Sequence, residues 1–310
     1  MTQLRTLSGN TVTGLTFGTM QFGGRADTAA SRAMYDACRA AGVTHFDTAW
    51  VYTEGASETL LGQFIAAERE DVFIASKVAY TGGAGRENVL AQAQMSLGRM
   101  GIDVIDLMYL HRFDPSTDLR ESLGTLADLQ ARGTIRHIGL SNFAAWQVMK
   151  AQAIAAEFGT RIDVIQPMYS LVKRQAEVEL LPMCADQGIL AVPYSPLGGG
   201  LLTGKYATGG TGRLTEDTRY AARYGLPWMH EAAKGLAKLA ETLGVDPATL
   251  AVAWVAAHDS RPSPIISARD VGQLRPSLDA AGFEMTAELY AQITALSITP
   301  PPATDRIEEA

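Results

Sequence analysis

Val72-Phe73-Ile74-Ala75-Ser76-Lys77 is a short apolar run, rich in strand-forming residues, that stops abruptly at a cation. The same shape recurs upstream in Val43-Thr44-His45-Phe46-Asp47 and downstream in Ile105-Asp106-Leu107-Met108-Tyr109-Leu110-His111. Such continuous runs fit strands covered on both faces, not strands with one wet side. Five further runs have this character, at residues 15–20, 136–140, 164–167, 190–194 and 264–266. Helical patterns separate them at 29–41, 57–67, 86–100, 119–131, 144–158, 177–187 and 248–257. In the first of these Met34, Ala37, Cys38 and Ala41 share one face. Gly42, Gly133 and Gly188 follow three of the helices, where a left-handed terminator is wanted.

Eight strands alternating with helices predict an α/β fold, a (β/α)₈ TIM barrel read as one domain over 1–310. The competing open doubly wound sheet needs a Gly-x-Gly-x-x-Gly turn after its first strand. Residues 18–24, Gly-Thr-Met-Gln-Phe-Gly-Gly, do not supply it. Residues 4–13, centred on Ser8-Gly9-Asn10, predict an N-terminal β-hairpin closing the barrel floor. The Pro300-Pro301-Pro302 run and the charged tail after about residue 299 are expected outside the core.

Composition excludes several classes of function. The 310 residues carry 26 Lys+Arg against 33 Asp+Glu, a net charge of −7, which argues against a nucleic-acid binder. A hydrophobic content of 47% and mean hydropathy of +0.02 belong to a globular chain. No stretch approaches the roughly 18 apolar residues of a membrane span. With no apolar leader at the start and only Cys38 and Cys184, both in apolar-periodic segments, a reduced cytoplasmic protein is expected. Neither a disulfide nor a metal site is expected, because metal-ligand spacings do not occur.

In a barrel, ionisable residues at the carboxyl ends of strands face the active site. Asp47, Lys77 and His111 hold three consecutive such positions, and Tyr52 lies in the loop after the second strand. A carboxylate, an ammonium, an imidazole and a phenol at one mouth suit proton donation to a developing alkoxide. A free phenol with a pKa near ~10 is a weak acid-base group at neutral pH. A neighbouring Lys77 is expected to lower that value while Asp47 fixes the ammonium and His111 positions a carbonyl oxygen. Each residue alone has an ordinary structural reading; their joint occurrence carries the argument.

After the seventh run comes Tyr194-Ser195-Pro196-Leu197-Gly198-Gly199-Gly200-Leu201-Leu202-Thr203-Gly204-Lys205-Tyr206. Its glycines let backbone amides approach a phosphate. Gly199 to Lys205 imitates a P-loop, but Tyr206 stands where Ser or Thr must hold Mg²⁺, so a triphosphatase is rejected. Ser141, Asn142 and Gln166 offer amide and hydroxyl groups that can grip a carboxamide, while Ser141 and Asn142 equally suit a helix cap.

Taken together, Phe46-Asp47-Thr48-Ala49 with Tyr52, Gly55-Ala56-Ser57-Glu58, Ile74-Ala75-Ser76-Lys77, Asp106 to His111, Ile138 to Phe143 and Pro193 to Leu197 resemble the aldo-keto reductases over nearly the whole chain. The resemblance implies a catalytic tetrad of Asp47, Tyr52, Lys77 and His111, and NADP(H) held without a Rossmann domain. It further implies Gly18, Thr19, Met20 and Asp47 beside the cofactor, Ser141, Asn142 and Gln166 on the carboxamide, and Tyr194 stacked on the nicotinamide. Ser195, Leu197, Gly199, Leu201, Lys205 and Arg213 would line the pyrophosphate. Ser267, Arg269 and Gln273 would take the adenosine 2′-phosphate. The chain departs from the family pattern at Thr53, where glycine is common, at Met20, where Trp is common, and at Pro276-Ser277, which leaves NAD(H) open.

The implied activity is a carbonyl reductase, or an alcohol or sugar dehydrogenase, acting on a small molecule. Phe22, Trp50, Tyr80 and Phe113 are candidate pocket walls, with core packing the other reading for each. Two alternatives stand beside it: a Schiff-base aldolase using Lys77, and a non-catalytic nucleotide-binding regulatory subunit. Oligomeric state is not readable from the sequence.

Overall fold

The computed structural model describes residues 2–12, 14–306 and 308. Its eight strands are β1 (Thr16–Gly18), β2 (His45–Asp47), β3 (Phe73–Val78), β4 (Ile105–Leu110), β5 (Ile135–Ser141), β6 (Val164–Gln166), β7 (Leu190–Ala191) and β8 (Ile265–Ile266). All recorded pairings are parallel, in the order β7-β6-β5-β4-β3-β2-β1-β8. Ser263 N donates to Ala191 O at 2.9 Å and Ile265 N to Pro193 O at 2.8 Å, so the two ends of the sheet meet and the (β/α)₈ barrel closes. Each expected run holds one of these strands.

Helices α1 (Thr28–Ala40), α2 (Ala56–Ile65), α3 (Arg86–Met100), α4 (Leu119–Ala131), α5 (Ala145–Glu157) and α6 (Leu180–Gln187) follow the first six strands. Their ends obey local chemistry. Asp27 Oδ1 accepts from Ala30 N at 2.8 Å to start α1, and Asp118 Oδ1 accepts from Arg120 N at 2.9 Å to start α4. Gly188 closes α6 at φ 63°, a conformation costly for any residue with a side chain.

Side-chain parity along the strands places the site. Phe73, Ala75, Leu107, Tyr109, Val164, Val192 and Ile265 pack together inside the barrel. Phe46, Ile74, Val78, Met108 and Leu110 point outward, into the layer beneath the helices. Because strand side chains alternate, Lys77 continues the inward set of β3, His111 that of β4, and Asp47 the inward face of β2. Gly139 on β5 pairs with Tyr109, whose ring would lie 2.4 Å from a Cβ there; only glycine leaves room for it.

The N-terminal hairpin forms at the opposite end. Arg5 and Thr11 are bridged antiparallel, Thr2 N reaches Gly188 O at 2.8 Å and Ser8 N reaches Glu70 O at 2.9 Å, both just ahead of strands. Leu4 is buried with the barrel-interior set and stops the floor. Thr13, the last residue of the expected hairpin, lies outside the described residues, as do Ile307, Glu309 and Ala310 of the tail. Residues 303–306 are exposed.

The segment between β7 and β8 is more helical than the sequence reading allowed. It carries α7 (Arg213–Glu216), α8 (Thr218–Tyr224), α9 (Pro227–Leu243) and α10 (Pro247–Ala256), and α11 (Val271–Asp279) and α12 (Ala287–Thr294) follow β8. Of these only α10 was expected. Among the described residues no single helix is long and apolar enough to cross a membrane.

Candidate active site

The floor of the mouth is a fully buried ion pair. Lys77 Nζ donates to Asp47 Oδ1 at 2.5 Å, to the Thr48 carbonyl at 2.7 Å and to the Tyr52 hydroxyl at 3.2 Å. All three ammonium protons are thereby used. Burial alone would pull the Lys77 pKa down, but Asp47 and then Tyr52 outweigh it, and the net direction is up. Lys77 therefore stays an ammonium. Asp47 Oδ2 accepts from Gln166 Nε2 at 2.8 Å, so each carboxylate oxygen has its own donor.

Tyr52 stands above Lys77, its ring centroid 4.8 Å from Nζ and 5.9 Å from the edge-on imidazole of His111. One expectation is corrected here. Burial, the largest effect on the phenol, raises its pKa, and the opposing pull of Lys77 does not overcome it. Tyr52 is thus held protonated, the acid form, instead of being tuned toward phenolate. His111 is 8% exposed, and burial pulls its pKa down to about 2. It is a neutral imidazole, and its Nδ1 is buried with no hydrogen-bond partner among the described residues.

The turn Tyr52–Gly55 that carries the phenol is strained. Thr53 has φ 45° and Glu54 φ 56°, left-handed positions unusual outside glycine. This explains why a glycine suits the position after the tyrosine. Thr53 compensates through its hydroxyl, which donates to the Phe22 carbonyl at 2.8 Å and accepts from Ser57 N at 3.0 Å. Beneath the turn, Ser57 Oγ lies 2.7 Å from Thr19 Oγ1 and 2.9 Å from Thr48 Oγ1, a buried hydroxyl cluster. Glu58, also buried, accepts from Ser76 at 2.7 Å and Arg99 at 3.0 Å. Sequence reasoning did not assign Thr48, Ser57 or Arg99 a place in this scaffold; no pattern marks a supporting shell.

Around the mouth, Asn142 (φ 59°) donates from Nδ2 to the His111 carbonyl at 3.0 Å and accepts the Tyr194 hydroxyl at 2.7 Å. Ser141 Oγ donates to the Gln166 carbonyl at 3.2 Å. Ser141, Asn142, Gln166 and Tyr194 are therefore one connected group beside Asp47. Neither Ser141 nor Asn142 caps α5, which begins at Ala145 with Ala144 in the cap position. Ser195 has φ 62°, and Leu197 to Lys205 form a tight turn with Gly199 at φ 66° and Gly200 at φ 94°. A Cβ on Gly199 would sit 2.8 Å from the Tyr220 ring of α8, so the glycine lets the two segments close together. Arg213 stacks on that ring with its Cζ at 5.3 Å from the centroid.

Ion pairs tie three neighbouring loops together on this side of the mouth. Glu216, at the end of α7, pairs with Arg25 of the loop after β1 at 3.0 Å and with Arg269 of the loop after β8 at 3.6 Å. The sequence reading missed Glu216 and Tyr220, which no local pattern singles out. Beside Arg269, the Ser267 hydroxyl is buried with no partner among the described residues, and Gln273 accepts from Arg269 N at 3.2 Å. Pro276 and Ser277 lie within α11 and pack on α10: the Pro276 carbonyl accepts from Thr249 at 2.7 Å, and Ser277 is buried.

The remaining expected residues divide. Tyr80 lies on His111 with ring centroids 4.8 Å apart, and Phe113 forms an aromatic edge with Phe143 and Trp146. Trp50 leans on α3, donating to Met95 Sδ at 3.1 Å under the Arg99 guanidinium. Phe22 is fully buried against Phe17 and Phe64, the place of a core side chain and not of a pocket wall. Gly18 is needed by the sheet itself, since a Cβ would lie 2.8 Å from Ile265 Cγ2. Thr19 serves the hydroxyl cluster, and Met20 is half-buried after β1.

The closed parallel barrel thus brings a carboxylate, an ammonium, a phenol and a neutral imidazole together at its carboxyl end. Residues 14–298 match the Aldo/keto reductase family, and the chain belongs to it. A probable voltage-gated potassium channel subunit beta of Oryza sativa subsp. japonica is 30% identical, over 96% of this chain and 97% of its own length. The uncharacterized oxidoreductase YrpG of Bacillus subtilis (strain 168) is 32% identical over 92% of both chains. Aflatoxin B1 aldehyde reductase member 2 of Homo sapiens is 37% identical over 61% of this chain and 54% of its own.

Proposed function

We propose that the protein is an NADP(H)-dependent oxidoreductase that interconverts a small carbonyl compound and its alcohol, with Tyr52 as the general acid and base. The observation that supports this most directly is the Tyr52 hydroxyl seated on the Lys77 ammonium beside a neutral His111. The residues fit the cofactor. The glycine turn 197–205 and Arg213 suit a pyrophosphate, and Ser267 with Arg269 suits a phosphate, its buried hydroxyl lacking a partner among the described residues. Ser141, Asn142 and Gln166 offer hydrogen-bonding groups for a carboxamide beside Tyr194.

When bound, the nicotinamide supplies the hydride. His111, neutral in its buried setting, donates a hydrogen bond that orients the carbonyl oxygen. Tyr52 releases its proton to that oxygen as charge develops, and the Lys77 ammonium stabilises the phenolate left behind. Asp47 keeps Lys77 charged and aimed, and Gln166 keeps Asp47 in place.

The aldolase reading is disfavoured by the same contacts. Imine formation needs a neutral amine, and Lys77 is a buried ammonium with every proton donated. The likeness to channel beta subunits keeps a regulatory reading in view, and the presence of all four polar groups favours catalysis over it. Fluorescence titration with NADPH and NADH, then turnover of an aldehyde panel, tests the proposal. Selective NADPH quenching and loss of about 10²–10⁴-fold in kcat on Tyr52→Phe are expected. A Tyr52→Phe protein with normal turnover removes Tyr52 from the role.

A further inference from the structure

We propose that Arg112 selects carbonyl substrates carrying a carboxylate a short distance from the reacting carbonyl. The inference rests on the reductase reading and deepens it. Arg112 follows His111 directly, and its guanidinium carbon lies 5.0 Å from the centroid of the Tyr80 ring. The same ring lies 4.8 Å from the His111 imidazole. Tyr80 is thus shared between the group that meets the carbonyl oxygen and an exposed cation, and it holds that cation close to the chemistry.

The manner of holding matters. A cation–π contact fixes a guanidinium without consuming its N–H donors, so the fork remains available to a carboxylate. Among the described residues no Asp or Glu forms an ion pair with Arg112. The acid nearest in sequence, Asp114, is committed elsewhere. Its Oδ2 accepts from Ala84 N at 2.9 Å and Thr117 Oγ1 at 2.6 Å, and its Oδ1 from Ser116 N at 3.0 Å and Ser116 Oγ at 2.5 Å. Arg219 of α8, also within electrostatic reach of Tyr80, is by contrast neutralised by Asp217 at 2.8 Å. In a chain with net charge −7, an arginine with no acid beside the reacting group is a site for the substrate's charge. Tyr80, 41% exposed, offers the substrate apolar surface beside this cation.

The experiment compares 4-carboxybenzaldehyde with 4-methylbenzaldehyde, matched in shape, at saturating NADPH. The wild type should favour the carboxylate in kcat/KM, mainly through KM. Arg112→Ala should lower the ratio of the two kcat/KM values by about five- to tenfold, the scale of a partly exposed ion pair. Arg112→Lys should keep part of the preference, and added salt should shrink it in the wild type. Equal losses for both aldehydes, or an unchanged ratio, overturn the proposal and leave the reductase intact. Turnover of neither aldehyde by the wild type counts against the reductase reading, and 4-hydroxymethylbenzoate binding then decides about Arg112. Quenching of tryptophan fluorescence that Arg112→Ala weakens supports the anion site without any chemistry, and quenching equal in both proteins removes it.

Discussion

Gln166, at the end of β6, donates Nε2 to Asp47 Oδ2 at 2.8 Å, joining residues 119 apart in the chain. The resemblance implies that this amide serves a cofactor carboxamide; one of its donors also holds the acid beneath Lys77. Gln166→Leu strips Asp47 of that donor and leaves a buried carboxylate oxygen unsatisfied. A loss of about 1–3 kcal/mol in urea unfolding is expected, together with lower kcat. Unchanged stability would show that the contact contributes nothing net.

The Asp47–Lys77 pair is fully buried. Lys77→Met leaves an uncompensated carboxylate, at a cost of about 3–5 kcal/mol, whereas Asp47→Leu with Lys77→Met removes both charges and recovers much of it. Both proteins should be inactive. A double mutant no more stable than the single one would mean that the charge left behind is not the cause.

Thr53 sets two effects against each other. Its left-handed backbone costs about 1–2 kcal/mol, and its hydroxyl makes two hydrogen bonds worth about 1 kcal/mol each. Thr53→Gly exchanges one for the other and should fall within about 1 kcal/mol of wild type. Thr53→Val keeps the strain, loses both bonds and should be less stable by about 1–3 kcal/mol. Thermal unfolding of the pair checks the ordering.

The pH profile follows from the signs. Tyr52 has its pKa raised by burial, so it stays protonated through neutral pH and above the ordinary phenol value of ~10. Carbonyl reduction should therefore be flat through neutrality and decline only above that value; alcohol oxidation should rise there instead. His111, held down to about 2, should give no inflection near its ordinary ~6.5. His45, held down to about 3 by its own burial, shares this behaviour. Unfolded imidazoles bind protons below pH ~6.5 while these two do not, so stability should fall as pH drops from there toward about 3. An unfolding midpoint that rises over that acid range contradicts the assignment.

Reading the sequence found each strand because a barrel strand is a short apolar run covered on both faces. It found α3 and α4 at their bounds because apolar periodicity ends at a glycine in both, Gly101 and Gly133, and Asp118 caps the start of α4. It missed α9, although Met229, Ala232, Ala233, Leu236 and Ala240 lie buried along one face. Alanine fills three of those five positions, and its small side chain makes a faint apolar stripe. Pro276 lies inside α11 and argues locally against a helix that tertiary packing maintains.

Asp47, Lys77 and His111 were readable as a cluster because strand parity and strand order are encoded within each βα unit, a local property. The protonation state of Tyr52 was not, since the sequence shows the neighbouring cation but not how far burial opposes it. Gln166 holding Asp47, Glu216 bridging Arg25 and Arg269, and Tyr80 joining His111 to Arg112 all cross between separate βα units. Their pairing depends on distances fixed only when the barrel closes. Local pattern specified the ring of elements and the residues at its mouth; closure chose the partner for each, and with it the charge each carries.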